Sequence, residues 1–148
     1  GGYRLVRVAQ WQEGLALATH NQTRSIRSVA RNARRRALRE AGSAARECLD
    51  ELRAHAPSRT RHSDTAVAEP VRDGWPDAGV CVQLAAEEAG LNFLPVHAET
   101  LDFCYSSASE HDPRIQALIR HLRSRSFRRL VGDLPGSDAR QTGETITA

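Results

Sequence analysis

Apolar residues fall into short runs separated by polar breaks, and the spacing within each run assigns its element. YRLVRVA (Tyr3 to Ala9) reads as a strand. EGLALATHN (Glu13 to Asn21) reads as a second strand, with Gly14 near its start, and Asn21 opens a polar break. Ser25 to Arg31 predicts a short helix with Ile26, Val29 and Ala30 on one side. Ala45, Cys48, Leu49 and Leu52 recur at i, i+3, i+4 and i+7, the apolar face of a helix packed on a core. Ser43 is placed to cap it, but Arg46 stands where a capping box would need Glu or Gln. His55 to Ser63 reads as a loop. Asp64 is placed to cap another helix, carrying Ala66, Val67 and Val71, which Pro70 keeps short or kinked.

Asp77 to Val82 predicts a short buried strand, and QLAAEEAG a helix ending near Gly90. LNFLPVH and LDFCYS predict two further strands, the second starting at Leu101. Asp112-Pro113 marks a helix start, a capping residue followed by proline at the first helical position. Ile115, Leu118, Ile119 and Leu122 give its buried face, and one helix or a pair continues towards Leu130. The tail PGSDARQTGETITA is polar and irregular, an extended return segment. Strands alternating with helices indicate an α/β architecture, and 148 residues suit one domain. No internal repeat is present.

Composition adds little until the charges are separated by type. Apolar residues make up 40 %, enough for a core. All 21 basic residues are arginine, set against 18 acidic ones, for a formal charge of +3 and a pI near 9.1. That surplus is weak evidence for a nucleic-acid partner. Seven arginines lie between Arg24 and Arg39 with only Ile26, Val29 and Leu38 as a thin apolar edge. The stretch reads either as a solvated helix face and loop or as an arginine-rich surface for nucleic acid. Cys48, Cys81 and Cys104 lie in apolar patterns and read as buried free thiols. Their odd number argues against a disulfide-built secreted domain. With no secretory apolar stretch and no long apolar span, the expectation is a cytoplasmic protein with no membrane partner.

Candidate chemistry centres on Gly42-Ser43. A helix N-terminus offers free N–H groups and partial positive charge. Gly42 lets the backbone approach closely, and Ser43 adds a hydroxyl. Backbone N–H groups from Ser43 through Ala44 to Arg46 would hold an oxyanion without a metal, with Arg39 or Arg46 supplying charge. The plain alternative is an ordinary cap at Ser43. A P-loop is excluded, since GxxxxGK[ST] is absent and there is no lysine. The six histidines show no metal-ligand spacing, and no GxSxG elbow or nucleophile–base pair is present. Binding rather than catalysis is expected, with no metal and no cofactor.

Four runs carry a resemblance: YRLVRVAQWQEGLALATHN, REAGSAARECLDEL, VAEPVRDGWPDAGVCVQLAAEEAGLNFLPV and DPRIQALIRHLRSRSFRRLVGDLPGSDARQTGE. Together they resemble a periplasmic-binding-protein-like domain related to molybdate- and tungstate-binding proteins. Such domains are commonly fused behind a helix-turn-helix or excisionase-type DNA-binding domain in bacterial regulators. WPDAGV followed by AAEEAGLNFLPV is similar to the crossover of a type II binding protein, with Asp77-Ala78-Gly79 marking the strand after the variable helix. The resemblance covers nearly all of residues 1–148. It implies an α/β, type II periplasmic-binding-protein-like fold with an incomplete first lobe, because the family's opening strand-helix-strand portion has no counterpart here.

The function implied is that of a ligand-sensing domain tied to transcriptional regulation. Its ligand would be a small oxyanion such as molybdate or tungstate, in the cleft between lobes. Arg39, Gly42, Ser43, Ala44 and Arg46 would contact it, with Tyr105 donating its hydroxyl or simply packed. A homodimer is an allowed partner, and DNA would be met only through an attached or partner domain. The sequence also departs from the family pattern. Gly42-Ser43-Ala44-Ala45-Arg46 stands where Gly-Ser-Gly-Thr-Arg is usual, RRRAL where a hydrophobic strand is usual, and Ser63-Asp64 for a Thr-His pair. Ser137 replaces a tyrosine. Asp64 near an anion would repel it unless it faces away or is paired. Two rival readings therefore stand: a ligand-free dimerisation or structural domain, and direct nucleic-acid binding through Arg24 to Arg39.

Overall fold

In the computed structural model, residues 2–51, 58–74 and 77–146 are described. Two compact units divide the chain. One comprises residues 1–11 and 99–148, and the other residues 12–98.

The second unit is a sheet with helices on both faces. Its strands are β1 (Tyr3–Leu17, of which residues 12–17 belong here), β2 (Arg36–Arg39), β3 (Ser58–Arg61), β4 (Ala78–Val82) and the first part of β5 (Asn92–Ser106). The order is β3-β2-β4-β1-β5. β2 pairs parallel with both β3 and β4, and β1 pairs antiparallel with β4, from Glu13 opposite Val82 to Leu17 opposite Ala78. Successive side chains on a strand point to opposite faces. Leu15, Leu17, Leu38, Ala78 and Val80 accordingly pack with Val29 of α1 (Ile26–Asn32) and Ala45 of α2 (Ala44–Glu51). On the opposite face Ala16, Ala37 and Cys81 meet Val67, Ala68 and Val71 of α3 (Asp64–Arg72) and Ala85 and Ala86 of α4 (Gln83–Glu88). Gly79 lies under α3, where a Cβ would stand 2.4 Å from a Val67 methyl, so only glycine admits that helix.

The first unit contains the start of β1, the end of β5, α5 (Pro113–Arg123), α6 (Arg125–Gly132), β6 (Ser137–Asp138) and β7 (Thr145–Ile146). β6 and β7 both pair antiparallel with β1, at Gln10–Trp11 and Leu5–Val6. Its core joins Val6, Tyr105, Ile119 and Leu122, flanked by Val8, Phe103, Ile115, Leu118 and Phe127. Asp112 caps α5 through the Arg114 amide. Ser124 closes α5 and opens α6, which settles the pair of helices expected towards Leu130.

Several sequence expectations change. The two strands expected before Asn21 are one, and so are the two expected between Leu91 and Ser106. Gly14 does not start a strand. It lets β5 approach, since a Cβ there would fall 2.2 Å from the Leu94 carbonyl oxygen. RRRAL is too polar for a hydrophobic strand, yet Arg36 to Arg39 form β2, with Arg36, Ala37 and Leu38 buried. Ser58 to Arg61, read as loop, form β3, a strand with no apolar signal that gains its order from pairing with β2. The cap of α3 is Ser63, and Asp64 is the first helical residue. Cys81 is buried but Cys104 is exposed, which corrects the expectation of three buried thiols. On the expected face of α2, Ala45 is buried. Leu52 and His55 lie outside the described residues, as do the side chains of Cys48 and Leu49.

Candidate functional site

Parallel pairing makes the chain leave β2, β3 and β4 at one edge of the sheet and enter α2, α3 and α4 there. This carboxyl edge is where open α/β sheets bind ligands. Arg39 ends β2 at that edge. Its Nε and Nη2 donate to the two carboxylate oxygens of Glu40, each at 3.0 Å, and its Nη1 lies 2.8 Å from Asp64 Oδ1. Glu40 follows directly in the chain, and Asp64 opens α3. The side chain of Arg39 is only 16 % exposed. The Arg39 hydrogen bonds hold the Glu40 carboxyl down at about 2, and the Glu40 partnership raises the Arg39 guanidinium above its ordinary range despite burial. One cation thus faces two carboxylates. Asp64, a repulsive neighbour for an anion if left alone, is paired.

Gly42 and Ser43 form the turn into α2. Gly42 adopts φ +84°, a conformation that favours glycine, with open space where a Cβ would be. The Ser43 hydroxyl accepts the Arg46 amide at 3.3 Å and donates to the Glu40 carbonyl at 2.8 Å. Both its hydrogen-bonding roles therefore serve the turn, as an N-cap does. The Ala44 and Ala45 amides are first-turn donors, which a helix leaves without intrahelical acceptors. Arg46 stands half-buried one position further on.

The structure brings Arg39, Gly42, Ser43, Ala44 and Arg46 to one edge of the second unit. Tyr105 lies in the first unit, 8 % exposed in its core and stacked on Phe103 at 6.0 Å between ring centroids. Sequence reading missed Glu40 and Asp64 as partners of Arg39. The signal available was an Arg-Glu pair at a strand end and an acidic residue at a helix start.

A second polar feature lies at the opposite edge of the same sheet. Asp77 Oδ2 accepts the Arg34 and Arg35 amides at 2.9 and 3.0 Å, and Asp77 Oδ1 accepts Arg35 Nη2 at 3.1 Å. Burial by itself pushes the Asp77 carboxyl up, but the hydrogen bonds from Arg35 and Arg34 outweigh it and hold the group below its usual range. Asp77 clamps the entry to β2 and is more than the boundary residue its position suggests. A cavity of about 430 Å³ beside it is lined by His20, Asn21, Thr23, Asn32 and Arg34 among others. Among the described residues no cluster of His, Cys, Asp and Glu could hold a metal.

The family model for the PBP superfamily domain matches residues 1–123. No curated protein matches the chain. Solved structures do. A putative phosphate ABC transporter substrate-binding protein with bound phosphate from Clostridium perfringens aligns at TM-score 0.71 and 11 % identity, over 91 % of this chain and 72 % of that one. The substrate-binding domain of a putative molybdenum ABC transporter from Clostridium difficile aligns at TM-score 0.65 and 14 % identity, over 90 % and 66 %. A probable amino-acid ABC transporter extracellular-binding protein from Bacillus subtilis aligns at TM-score 0.62 and 12 % identity, over 91 % and 64 %. The chain spans less than two thirds of the length of the first solved structures it matches. All three of the aligned proteins are named as binding proteins or substrate-binding domains. They also correct the cytoplasmic expectation, because they are named as an extracellular-binding protein and as substrate-binding parts of ABC transporters. That expectation rested on finding no secretory apolar stretch within residues 1–148 and on an odd cysteine count, and neither feature places a binding domain in a compartment.

Proposed function

The chain belongs to the PBP superfamily, and on that premise we propose that it binds a small polar ligand at the carboxyl edge of the second unit. The anionic group of that ligand is taken by Arg39 and by the first-turn amides of Ala44 and Ala45. Gly42 keeps the approach open, Ser43 holds the turn, and Arg46 adds positive charge. The observation that carries this reading is Arg39 itself. It is held in place by Glu40 and Asp64 at the point where two helices begin. Tyr105 is assigned no ligand contact. The mechanism is binding alone, and the fit of the ligand is the only selectivity it needs.

Two ligand classes suit this edge. An oxyanion such as molybdate, tungstate or phosphate is supported by the sequence resemblance and by the phosphate and molybdenum proteins the chain is similar to. A zwitterion such as an α-amino acid is favoured by a specific contact, the Arg39–Asp64 pair. Its carboxylate would join Arg39 and its ammonium would join Asp64, so neither charge is left unmatched. A sensing role in transcriptional regulation, through an attached or partner DNA-binding domain, extends the oxyanion form and is supported by the sequence resemblance.

Thermal unfolding at constant ionic strength with molybdate, tungstate, phosphate, sulfate, glutamate and arginine tests the reading. A ligand at about a hundred times its Kd adds roughly 2.7 kcal/mol to the folded state. The expected result is a selective rise in midpoint for one class, lost in Arg39→Gln. No rise with any of them would favour a ligand-free structural domain.

A further inference from the structure

We propose that the arginine-lined face of α5 and α6 in the first unit is a docking surface for an anionic lipid membrane. Residues 113–140 contain seven arginines and two acidic residues, Asp133 and Asp138, a surplus of five positive charges. The whole chain carries only +3, so the remaining residues are net negative by two. This segment is one of two local concentrations of basic charge, the other being residues 24–39.

The guanidinium groups are arranged to keep that charge. Arg123, Arg125, Arg128, Arg129 and Arg140 line one open groove of about 580 Å³, and all five are exposed. Arg123 Nε donates to the Gly143 carbonyl at 2.9 Å, and Arg128 Nη2 donates to the Arg140 carbonyl at 2.9 Å. A carbonyl orients a guanidinium without neutralising it. Among the described residues no carboxylate lies within ion-pair distance of Arg123, Arg125 or Arg128. Arg129 meets Asp133 only at 3.6 Å, with both side chains at least 70 % exposed, a pair that solvent screens. Arg140 is paired with Asp138. Ordering before contact lowers the entropic cost of docking.

Leucines decide between polyanions. Leu130 is 62 % exposed and lines the neighbouring hollow with Arg125 and Arg129, and Leu134 is 40 % exposed. Phosphates of a nucleic acid offer these leucines nothing. An anionic bilayer takes both, with its headgroups meeting arginine and its acyl boundary meeting leucine. No helix among the described residues is long and apolar enough to cross a membrane. The absence of a spanning segment does not bear on contact with a membrane surface.

Co-sedimentation of the full chain with vesicles tests this, using phosphatidylcholine alone and phosphatidylcholine mixed with phosphatidylserine. Binding is expected only to the mixture, falling as salt rises. Each arginine removed should weaken it about fivefold, so Arg125→Gln with Arg129→Gln should cost about twenty-five-fold. Leu130→Ser should weaken vesicle binding severalfold and leave the salt dependence unchanged. Each variant is checked for an unaltered unfolding midpoint. Equal binding to both vesicle types, or to neither, overturns the proposal. Tighter binding to a DNA duplex than to the mixed vesicles, with Leu130→Ser neutral for both, also overturns it and makes the face a nucleic-acid surface.

Discussion

Residues 24–39 hold seven arginines, and residues 114–140 hold seven more. The first stretch looks like the stronger candidate for an exposed basic surface, because its arginines are closer together. Folding qualifies that impression, because Arg24, Arg27, Arg31 and Arg34 stay exposed while the other three are taken up by the fold. Arg36 is 4 % exposed inside β2, where burial lowers its guanidinium below the ordinary range. Arg39 is held by two carboxylates, and Arg35 is bound to Asp77. In the second stretch, Arg123 and Arg128 rest on carbonyls and stay exposed. Density of arginine in sequence thus says little about exposed charge. What each guanidinium meets decides whether it serves the fold or faces a partner.

The largest expected difference between the two stretches is in stability. Arg39→Ala leaves Glu40 and Asp64 without their cation and should cost about 2 kcal/mol, whereas Arg125→Ala should stay within about 0.5 kcal/mol in denaturant unfolding. Equal costs would break the comparison. Two glycines sharpen it next. Gly143 has φ +86°, and a Cβ there would lie 2.6 Å from Arg123 Cγ and 3.1 Å from its backbone. Gly42 has a similar φ but open space. Gly143→Ala should therefore cost about 2 kcal/mol and disturb the groove, and Gly42→Ala about 1 kcal/mol.

Acid titration gives a smaller effect. The folded Glu40 carboxyl sits at about 2 against an ordinary 4.5. A carboxyl with a depressed folded value contributes stability that is fully present above its unfolded value and lost as pH falls through the folded one. Wild-type unfolding midpoints should fall between pH 4.5 and about 2 more steeply than those of Arg39→Gln. The Asp112 carboxyl, held down at about 2 by Arg114, titrates in both proteins and cancels from the difference. The smallest effect is on the thiols. Cys104 should label in the native state, while Cys81, buried and pushed up to about 12 by desolvation, should label only on unfolding. Peptide mass spectrometry reads both.

Local signals in the sequence carried much of the fold. Asp112-Pro113, Ser25 and Ser43 mark helix starts because capping is a short-range interaction. Strand lengths were harder to read. β1 and β5 pass from one compact unit to the other, and a polar interval such as Gln10 to Gln12 looks like a break although sheet pairing carries the strand through it. β3 has no apolar pattern at all, and its order comes from β2, whose residues pair with it from twenty-two positions earlier in the chain. At the candidate site, Gly42-Ser43 was legible as a turn into a helix. The Asp64 partnership of Arg39 was not, since it depends on which helix begins beside which strand.

Amide chemical-shift mapping by NMR, with phosphate and then with glutamate added at constant ionic strength, tests the central claim most directly. Selective shifts at Arg39, Gly42 and Ala44 to Arg46 with one of the two are predicted, with the α6 amides unmoved. Shifts confined to residues 123–140, or none anywhere, would contradict a ligand site at the carboxyl edge of the second unit.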